Sequence, residues 1–165
     1  LPVSISSDKA VRVSESNYKI TGTDVLFLDD GNNNPDTFVG FSDRYGFAAA
    51  NEFLTDGFKF SVEQIAFYAR SETALINSFY AAVLDGELNK LWDSYENFDV
   101  SSTGNWFMIN IPNPVQINNG QNFYLVVQSY FSFVQYPFGY DTLAQVPNHS
   151  YYVDPDDNTK IIAKT

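Results

Sequence analysis

Short segments with alternating or continuous apolar residues follow one another along this chain, separated by turn residues. Phe123–Ser129 is the clearest of them, and Phe58–Val62 alternates apolar and polar side chains. Ser78–Leu84 is mostly apolar and ends at Asp85-Gly86, a strong hairpin signal. Such segments recur roughly every 8 to 14 residues without a long amphipathic helix between them. The pattern predicts an all-β fold, an antiparallel β-sandwich of the jelly-roll kind.

Two stretches allow more than one interpretation, one in its secondary structure and the other in its place in the fold. The alanines in Tyr45–Leu54 are compatible with a helix, but the glycines at 46 and 57 and the aromatic residues favour a strand. Residues 1–24 contain only short extended pieces, which suit an added edge strand or a linker from a preceding domain. We therefore expect residues 25–165 to form the β-sandwich domain itself.

Length, composition and charge exclude several classes of function. The 165 residues suit one domain, and 44% hydrophobic with 17% aromatic residues can build a core. A net charge of -11 argues against nucleic acid and anionic membrane surfaces as partners. The absence of cysteine excludes disulfides, zinc-thiolate sites and thiol nucleophiles. No apolar run reaches the roughly 20 residues that span a bilayer, and the start at Leu1 without Met indicates excision from a longer precursor.

An acidic loop between two predicted strands is the first candidate for chemistry. It runs from Asp29 to Asp36 and combines carboxylates and amides with one glycine and one proline. Calcium takes roughly 6 to 8 oxygen ligands of these kinds, although the same residues also make ordinary polar turns. The candidate calcium ligands in this loop are Asp29, Asp30, Asn32, Asn34 and Asp36.

Further acidic residues occur near the end of the chain. In a jelly roll the first and last strands often lie side by side, so these residues could meet the first loop or form a second site. The spacing lacks the glycine and glutamate of an EF-hand, which excludes that motif. Solvated acidic turns are the alternative for this group. The additional candidate ligands are Asp141, Asp154, Asp156 and Asp157.

Catalysis has little support in the sequence. The single histidine, His149, follows Pro147-Asn148 in a predicted loop, and no Gly-x-Ser-x-Gly elbow is present. The glutamates are scattered without the pairing that glycoside hydrolysis requires. We expect no enzymatic activity in this chain.

Aromatic residues offer an alternative function, carbohydrate binding, because flat rings stack on sugars while amides and acids bind hydroxyls. Residues 130–140 are rich in aromatics. The competing interpretation is that these rings cap the core of the sandwich. The candidates for an aromatic binding surface are Trp92, Trp106, Tyr130, Tyr136 and Tyr140.

The order of several short motifs resembles that of an accessory module found in secreted bacterial and archaeal hydrolases. The resemblance covers roughly residues 25–163, and each motif alone is weak. The motifs are Asp29-Asp30-Gly31, Gly46-Phe47-Ala48-Ala49, Ala66-Phe67-Tyr68, Leu84-Asp85-Gly86, Ser102-Thr103-Gly104-Asn105-Trp106, Phe123-Tyr124-Leu125-Val126-Val127, Gly139-Tyr140-Asp141-Thr142 and Asn148-His149-Ser150-Tyr151-Tyr152.

Such modules are similar to the C-terminal extensions of archaeal subtilisin-like proteases, pyrolysin among them. The resemblance implies a noncatalytic jelly roll, stabilised by calcium, beside the catalytic domain of an extracellular protein. Its partners would be calcium, that catalytic domain and a polymeric substrate. Residues 1–24 fall outside the pattern, and residues 32–34 lengthen the first loop beyond its usual size.

Overall fold

The structure is a computed structural model, and it describes twelve strands with several of their connections. The described residues are 9–11, 24–26, 37–39, 47–55, 60–71, 76–129, 138–140, 150–154 and 157–164. Those before 47 and after 149 are described by backbone alone, as are Phe47, Leu54, Phe60, Ile76 and Tyr140. Every regular element among them is a strand. The strands are β1 Lys9–Val11, β2 Asp24–Leu26, β3 Thr37–Val39, β4 Phe47–Leu54, β5 Phe60–Ala69, β6 Ile76–Asp85, β7 Lys90–Asp99, β8 Asn105–Ile117, β9 Asn122–Ser129, β10 Phe138–Tyr140, β11 Ser150–Asp154 and β12 Asp157–Lys164.

Two antiparallel sheets carry the fold. The larger has the strand order β12-β11-β4-β9-β6-β7, and the smaller has the order β3-β10-β5-β8. A separate parallel pair joins β1 to β2. The predicted antiparallel β-sandwich is therefore confirmed, while the jelly-roll connectivity stays a prediction.

The core lies between the two sheets and is built by alternation along each strand. Phe79, Ala81 and Val83 of β6 face Ile65 and Phe67 of β5, and all five are inaccessible to solvent. Successive side chains of a strand point to opposite faces, so one apolar set from each sheet meets in the middle. Aromatic rings dominate this core; the Phe67 and Phe79 centroids, for example, are 4.9 Å apart.

The central strands of the six-stranded sheet also bury their outer face, the one turned away from the sandwich core, whereas Tyr95 of β7 is 61% exposed on that side. Ala48 of β4, Tyr80 and Leu84 of β6 and Val126 of β9 form a second apolar cluster, each at most 1% exposed. The runs that build these strands are apolar on both faces, as expected for strands buried on both sides. The central strands of this sheet therefore have no solvated face.

The sequence prediction for β4 was correct in favouring a strand over a helix. The alanines at 48, 49 and 50 divide between the two faces, with Ala49 in the sandwich core and Ala48 in the outer cluster. Small side chains fit here because the sheet packs on both sides. Helix propensity of alanine is a weak preference that such packing overrides.

The strand β8 runs through two prolines that interrupt its pattern in the sequence. Pro112 and Pro114 lie in a stretch, residues 111–114, that faces the single residue Glu63 of β5 across a register shift. Proline donates no backbone hydrogen bond and is tolerated at bulges and edge strands. The bulge, and the place of β8 at the end of the described order of its sheet, explain why the strand continues.

Candidate binding surface

Most of the predicted calcium ligands lie outside the described residues. These are Asp29, Asp30, Asn32, Asn34, Asp36, Asp141 and Asp156. Asp154 and Asp157 are described by backbone alone, and they occupy one paired position at the end of the β11–β12 hairpin. Among the described residues, no three histidine or acidic side chains come together in a way that could hold a metal ion.

The backbone register at β3 and β10 bears on the first acidic loop. Thr37, the first residue of β3, pairs with Tyr140, the last residue of β10. Asp36 precedes Thr37 and Asp141 follows Tyr140 in the sequence. At this end of the strand pair, each of the two paired residues is thus next to an acidic residue in the sequence.

The aromatic candidates divide into three groups. Tyr130 and Tyr136 lie outside the described residues, and Tyr140 is described by its backbone only. Trp92 is half-buried and packs against the sandwich core, which agrees with the core-capping interpretation. Trp106 is 37% exposed on the outer face of the smaller sheet, and this side chain leads to the surface described next.

The outer faces of β5 and β8 form one continuous surface of cross-strand pairs. Inward-facing Ile65 and Phe67 alternate with outward-facing residues on β5, and the same alternation holds on β8. We call the outward set the β5–β8 face. Its pairs are Tyr68 with Trp106, Ala66 with Met108, Gln64 with Asn110 and Ser61 with Gln116.

The aromatic end of the β5–β8 face is held in place from the side, by the residue opposite Trp106 on β5. The ring of Tyr68 is 6% exposed and meets Trp106 edge-on, with centroids 5.7 Å apart and an interplanar angle of 90°. The Tyr68 hydroxyl donates a hydrogen bond of 3.2 Å to the carbonyl of Thr103. Edge-to-face contacts of this kind are favourable, so Tyr68 fixes the orientation of the exposed indole.

Gly104 makes this arrangement possible. It has a φ of 86°, in the left-handed region that favours glycine, and an added Cβ would lie 2.4 Å from Cε1 of Tyr68. The turn from β7 to β8 therefore passes directly over the tyrosine ring. Any larger residue would displace either the ring or the turn.

The other end of the β5–β8 face is polar and paired. Nε2 of Gln64 donates to Oδ1 of Asn110 over 2.7 Å, and Nε2 of Gln116 donates to Oγ of Ser61 over 3.0 Å. Asn110 and Gln116 are exposed. A side-chain amide offers two donor hydrogens and an acceptor oxygen, so each amide keeps hydrogen-bonding capacity beyond the bond it makes here.

No family model matches the sequence, and no curated protein and no solved structure matches it.

Sequence reasoning identified Trp106 but missed its neighbours on the β5–β8 face. The signal was present in β8, where apolar Phe107, Ile109 and Ile111 alternate with Trp106, Met108 and Asn110. Such alternation predicts one buried and one exposed face. The partners on β5 could not be found this way, because the register between two strands distant in sequence cannot be read from the sequence of either strand.

Two other polar groups in the described residues are explained by local structure. Asn122 Nδ2 and the Tyr124 hydroxyl both donate to Oε1 of Glu52, over 3.0 and 3.2 Å. Burial, the negative charge of Glu52 and this hydrogen bond raise the pKa of Tyr124 to about 12. The trio links β4 to β9 at the rim of the larger sheet.

Asp85 closes the β6–β7 turn. Its Oδ1 accepts hydrogen bonds from the backbone N–H groups of Glu87 and Asn89, over 2.9 and 2.8 Å. Slight desolvation favours the protonated acid, but the bonds from Asn89 and Glu87 outweigh it and hold the pKa of Asp85 below its ordinary value. This carboxylate is committed to the turn. A shallow groove of about 440 Å³ beside it is lined also by Gly120 and Gln121.

The described part of the chain contains no helix with the length and apolar character that crossing a membrane requires.

Proposed function

We propose that this chain is a noncatalytic, calcium-binding β-sandwich accessory domain of a secreted hydrolase, a subtilisin-like protease by resemblance. Its role would be to stabilise or position the neighbouring catalytic domain. The confirmed β-sandwich supports the proposal, because the resemblance implied this class of fold. The ligand set comes from the sequence and from that resemblance.

The pairing of Thr37 with Tyr140 is the observation that carries the calcium proposal. Asp36 and Asp141 are each one peptide bond from a paired residue. Carboxylates brought to one site repel each other, and a divalent cation held between them reverses the sign of that interaction.

The paired position of Asp154 and Asp157 supports a second site more weakly. Like charges directly opposite each other in an antiparallel pair destabilise it. Only Pro155 and Asp156 separate the two residues. A cation at this hairpin would relieve the repulsion, but an acidic turn in water would tolerate it.

Calcium removal is the direct test. A cation that binds only the folded state adds RT ln(1 + [L]/Kd), about 4 kcal/mol when free calcium is 1,000-fold above Kd. For a chain of this size each kcal/mol moves the melting temperature by roughly 2–4 °C. We expect EDTA to lower the melting temperature by several degrees, and Asp30→Ala to lower it similarly in the presence of calcium.

Two controls separate a specific site from general screening of an acidic protein. Magnesium at the same concentration supplies the same ionic strength, but its smaller, octahedral shell suits a loop of this kind poorly. Asp93→Asn removes an exposed carboxylate that pairs with Lys90 at 2.9 Å on β7, far in sequence from the candidate ligands. If EDTA and Asp30→Ala each shift the transition by no more than a degree or two, the calcium proposal is wrong.

The place of the domain beside a hydrolase is tested separately by the full-length sequence in which this chain occurs. A catalytic hydrolase domain in the same polypeptide supports the proposal, and its absence contradicts the accessory role without affecting the calcium site. The carbohydrate-binding alternative at residues 130–140 stays a prediction, since those side chains are not described apart from the buried Phe138.

A further inference from the structure

The β5–β8 face combines an exposed aromatic ring, held by a cross-strand partner, with two side-chain hydrogen bonds that each involve an amide. Trp106 lies at one end, Met108 follows it on β8, and Asn110 and Gln116 continue the row. Trp106 and Asn110 are four residues apart on one strand, which spans about 13 Å. The face is therefore elongated along β8.

We infer that the β5–β8 face binds a neutral polysaccharide lying along β8, with one sugar ring stacked on Trp106 and hydroxyl groups bound by the amides of Gln64, Asn110 and Gln116. This inference is independent of the calcium proposal and of the aromatic segment at 130–140. It uses only described side chains.

The charge of the face selects the class of ligand. The four cross-strand pairs contain no carboxylate, amine or guanidinium group. One exposed carboxylate, Glu63, lies between Ser61 and Gln64 on β5, opposite the bulge of β8, and it adds to the repulsion of a polyanion. A net charge of -11 opposes binding of a polyanion. Amides and hydroxyls instead match the donors and acceptors of an uncharged sugar.

The shape of the face argues against other occupants. Its exposed apolar groups are Trp106 and Met108, at 37% and 59% exposure. A stable protein interface buries about 800 Å² on each partner around a desolvated apolar centre, and these two side chains supply little of it. Small-molecule sites are concave, whereas the exposed part of this surface is one side of the strand β8, beside the buried Ala66 and Tyr68 of β5.

The support that Tyr68 gives to Trp106 favours binding, because the indole loses less conformational entropy when a ligand binds. Tyr68 is buried, bonded to Thr103 and in edge-on contact with the indole, and Gly104 packs against it. A ring that is already oriented loses less conformational freedom on binding than a mobile one. Tyr68 is thus a positioning residue for the stacking platform.

Affinity electrophoresis tests the inference with the whole chain in excess calcium. Native gels would contain a soluble β-glucan, xylan or galactomannan, with polygalacturonate as the anionic comparison. We expect at least one neutral polymer to retard the protein. Trp106→Ala should weaken that binding by about tenfold or more, as loss of an aromatic stacking platform does elsewhere, while Trp106→Phe should restore part of it.

Tyr95→Ala is the matched control, since Tyr95 is 61% exposed on β7 of the other sheet, and it should bind as the unmodified protein does. Asn110→Ala changes an exposed amide and should weaken binding by a few-fold; it decides the question if Trp106→Ala does not fold. The inference is overturned if no neutral polymer binds, if polygalacturonate alone binds, or if Trp106→Ala and Asn110→Ala both bind undiminished.

Tryptophan fluorescence supplies a second measurement. The chain has two tryptophans, and Trp92 packs against the core while Trp106 lies on the proposed site. The bound polymer should change the emission of the unmodified protein and leave Trp106→Phe unchanged. An equal change in both proteins would place the ligand elsewhere and contradict the inference.

Discussion

The central strands of the six-stranded sheet and the strand β8, last in the described order of the four-stranded sheet, differ in the exposure of their outer faces. On the six-stranded sheet Ala48, Tyr80 and Leu84 are at most 1% exposed on the face turned away from the core. On the four-stranded sheet Met108 and Trp106 remain 59% and 37% exposed at the corresponding side. The central strands of the larger sheet are thus buried on both sides, whereas β8 exposes one face, as β7 does at Tyr95, which is 61% exposed.

The difference is already visible in the strands themselves. In β6 the residues from Phe79 to Leu84 are apolar without interruption, which is the pattern of a strand buried on both sides. In β8 apolar Ile109 and Ile111 alternate with Met108 and Asn110, which is the pattern of a strand with one solvated face. Continuity and alternation therefore separate a structural face from a candidate binding face.

The largest expected effect comes from truncating one side chain on each outer face. Leu84→Ala should destabilise the protein by about 2–5 kcal/mol, because it leaves a cavity among packed side chains. Met108→Ala should change stability by no more than about 0.5–1 kcal/mol, because its side chain is already largely in water. Urea unfolding of both variants measures the contrast, and equal losses would show that the two faces are not distinct.

A smaller loss of stability is expected from replacing either of two glycines by alanine. Both glycines have a left-handed backbone, but their surroundings differ. Gly104→Ala and Gly120→Ala both incur roughly 1–2 kcal/mol for a positive φ. Gly104 alone meets the ring of Tyr68, whereas an added Cβ at Gly120 meets nothing within 4 Å. We expect Gly104→Ala to be the less stable variant in thermal unfolding and also to change Trp106 fluorescence.

The comparison at Gly104 has a clear contrary result. If both alanine variants lose the same stability and neither alters the emission, the tyrosine ring is not packed beneath the turn as described. The support proposed for Trp106 would then be wrong.

The smallest effect is confined to high pH and concerns the rim of the larger sheet. The pKa of Tyr124 is raised from 10.0 to about 12, so the folded state holds this proton more tightly than the unfolded state. The resulting stability is complete below pH 10 and is lost as the pH rises through about 12. Between pH 10 and about 12, the free energy of unfolding of Tyr124→Phe should therefore fall less than that of the unmodified protein. Denaturation series at fixed ionic strength measure the difference.

Glu52→Gln sharpens that measurement. It removes the negative charge that opposes ionisation of Tyr124 and keeps a hydrogen-bond acceptor, so the titration should move towards the ordinary value. An identical pH dependence in all three proteins would contradict the assignment.

Much of the sheet architecture could be predicted from local sequence. The strand at Asn122–Ser129 matches the clearest apolar run, and β6 ends at Asp85, just before the turn that Asp85-Gly86 predicted. Both rest on side-chain pattern and turn chemistry within a few residues. These are properties that a single segment carries by itself.

What pattern could not supply is which strands meet. The pairing of Tyr68 with Trp106 joins residues 38 positions apart, and it places a buried ring beside a partly exposed indole. Alternation along β8 predicts the exposed side of Trp106 from the sequence, but only the three-dimensional register shows that Tyr68 is its neighbour.

The prolines of β8 have a consequence for how this protein behaves at high concentration. An uncovered sheet margin invites a strand from another molecule to add to it, which is a route to aggregation. Pro112 and Pro114 offer no amide hydrogen to such a strand, and the bulge at residues 111–114 bends the margin. The long strand that presents the amide row is thereby protected from growing into a fibril.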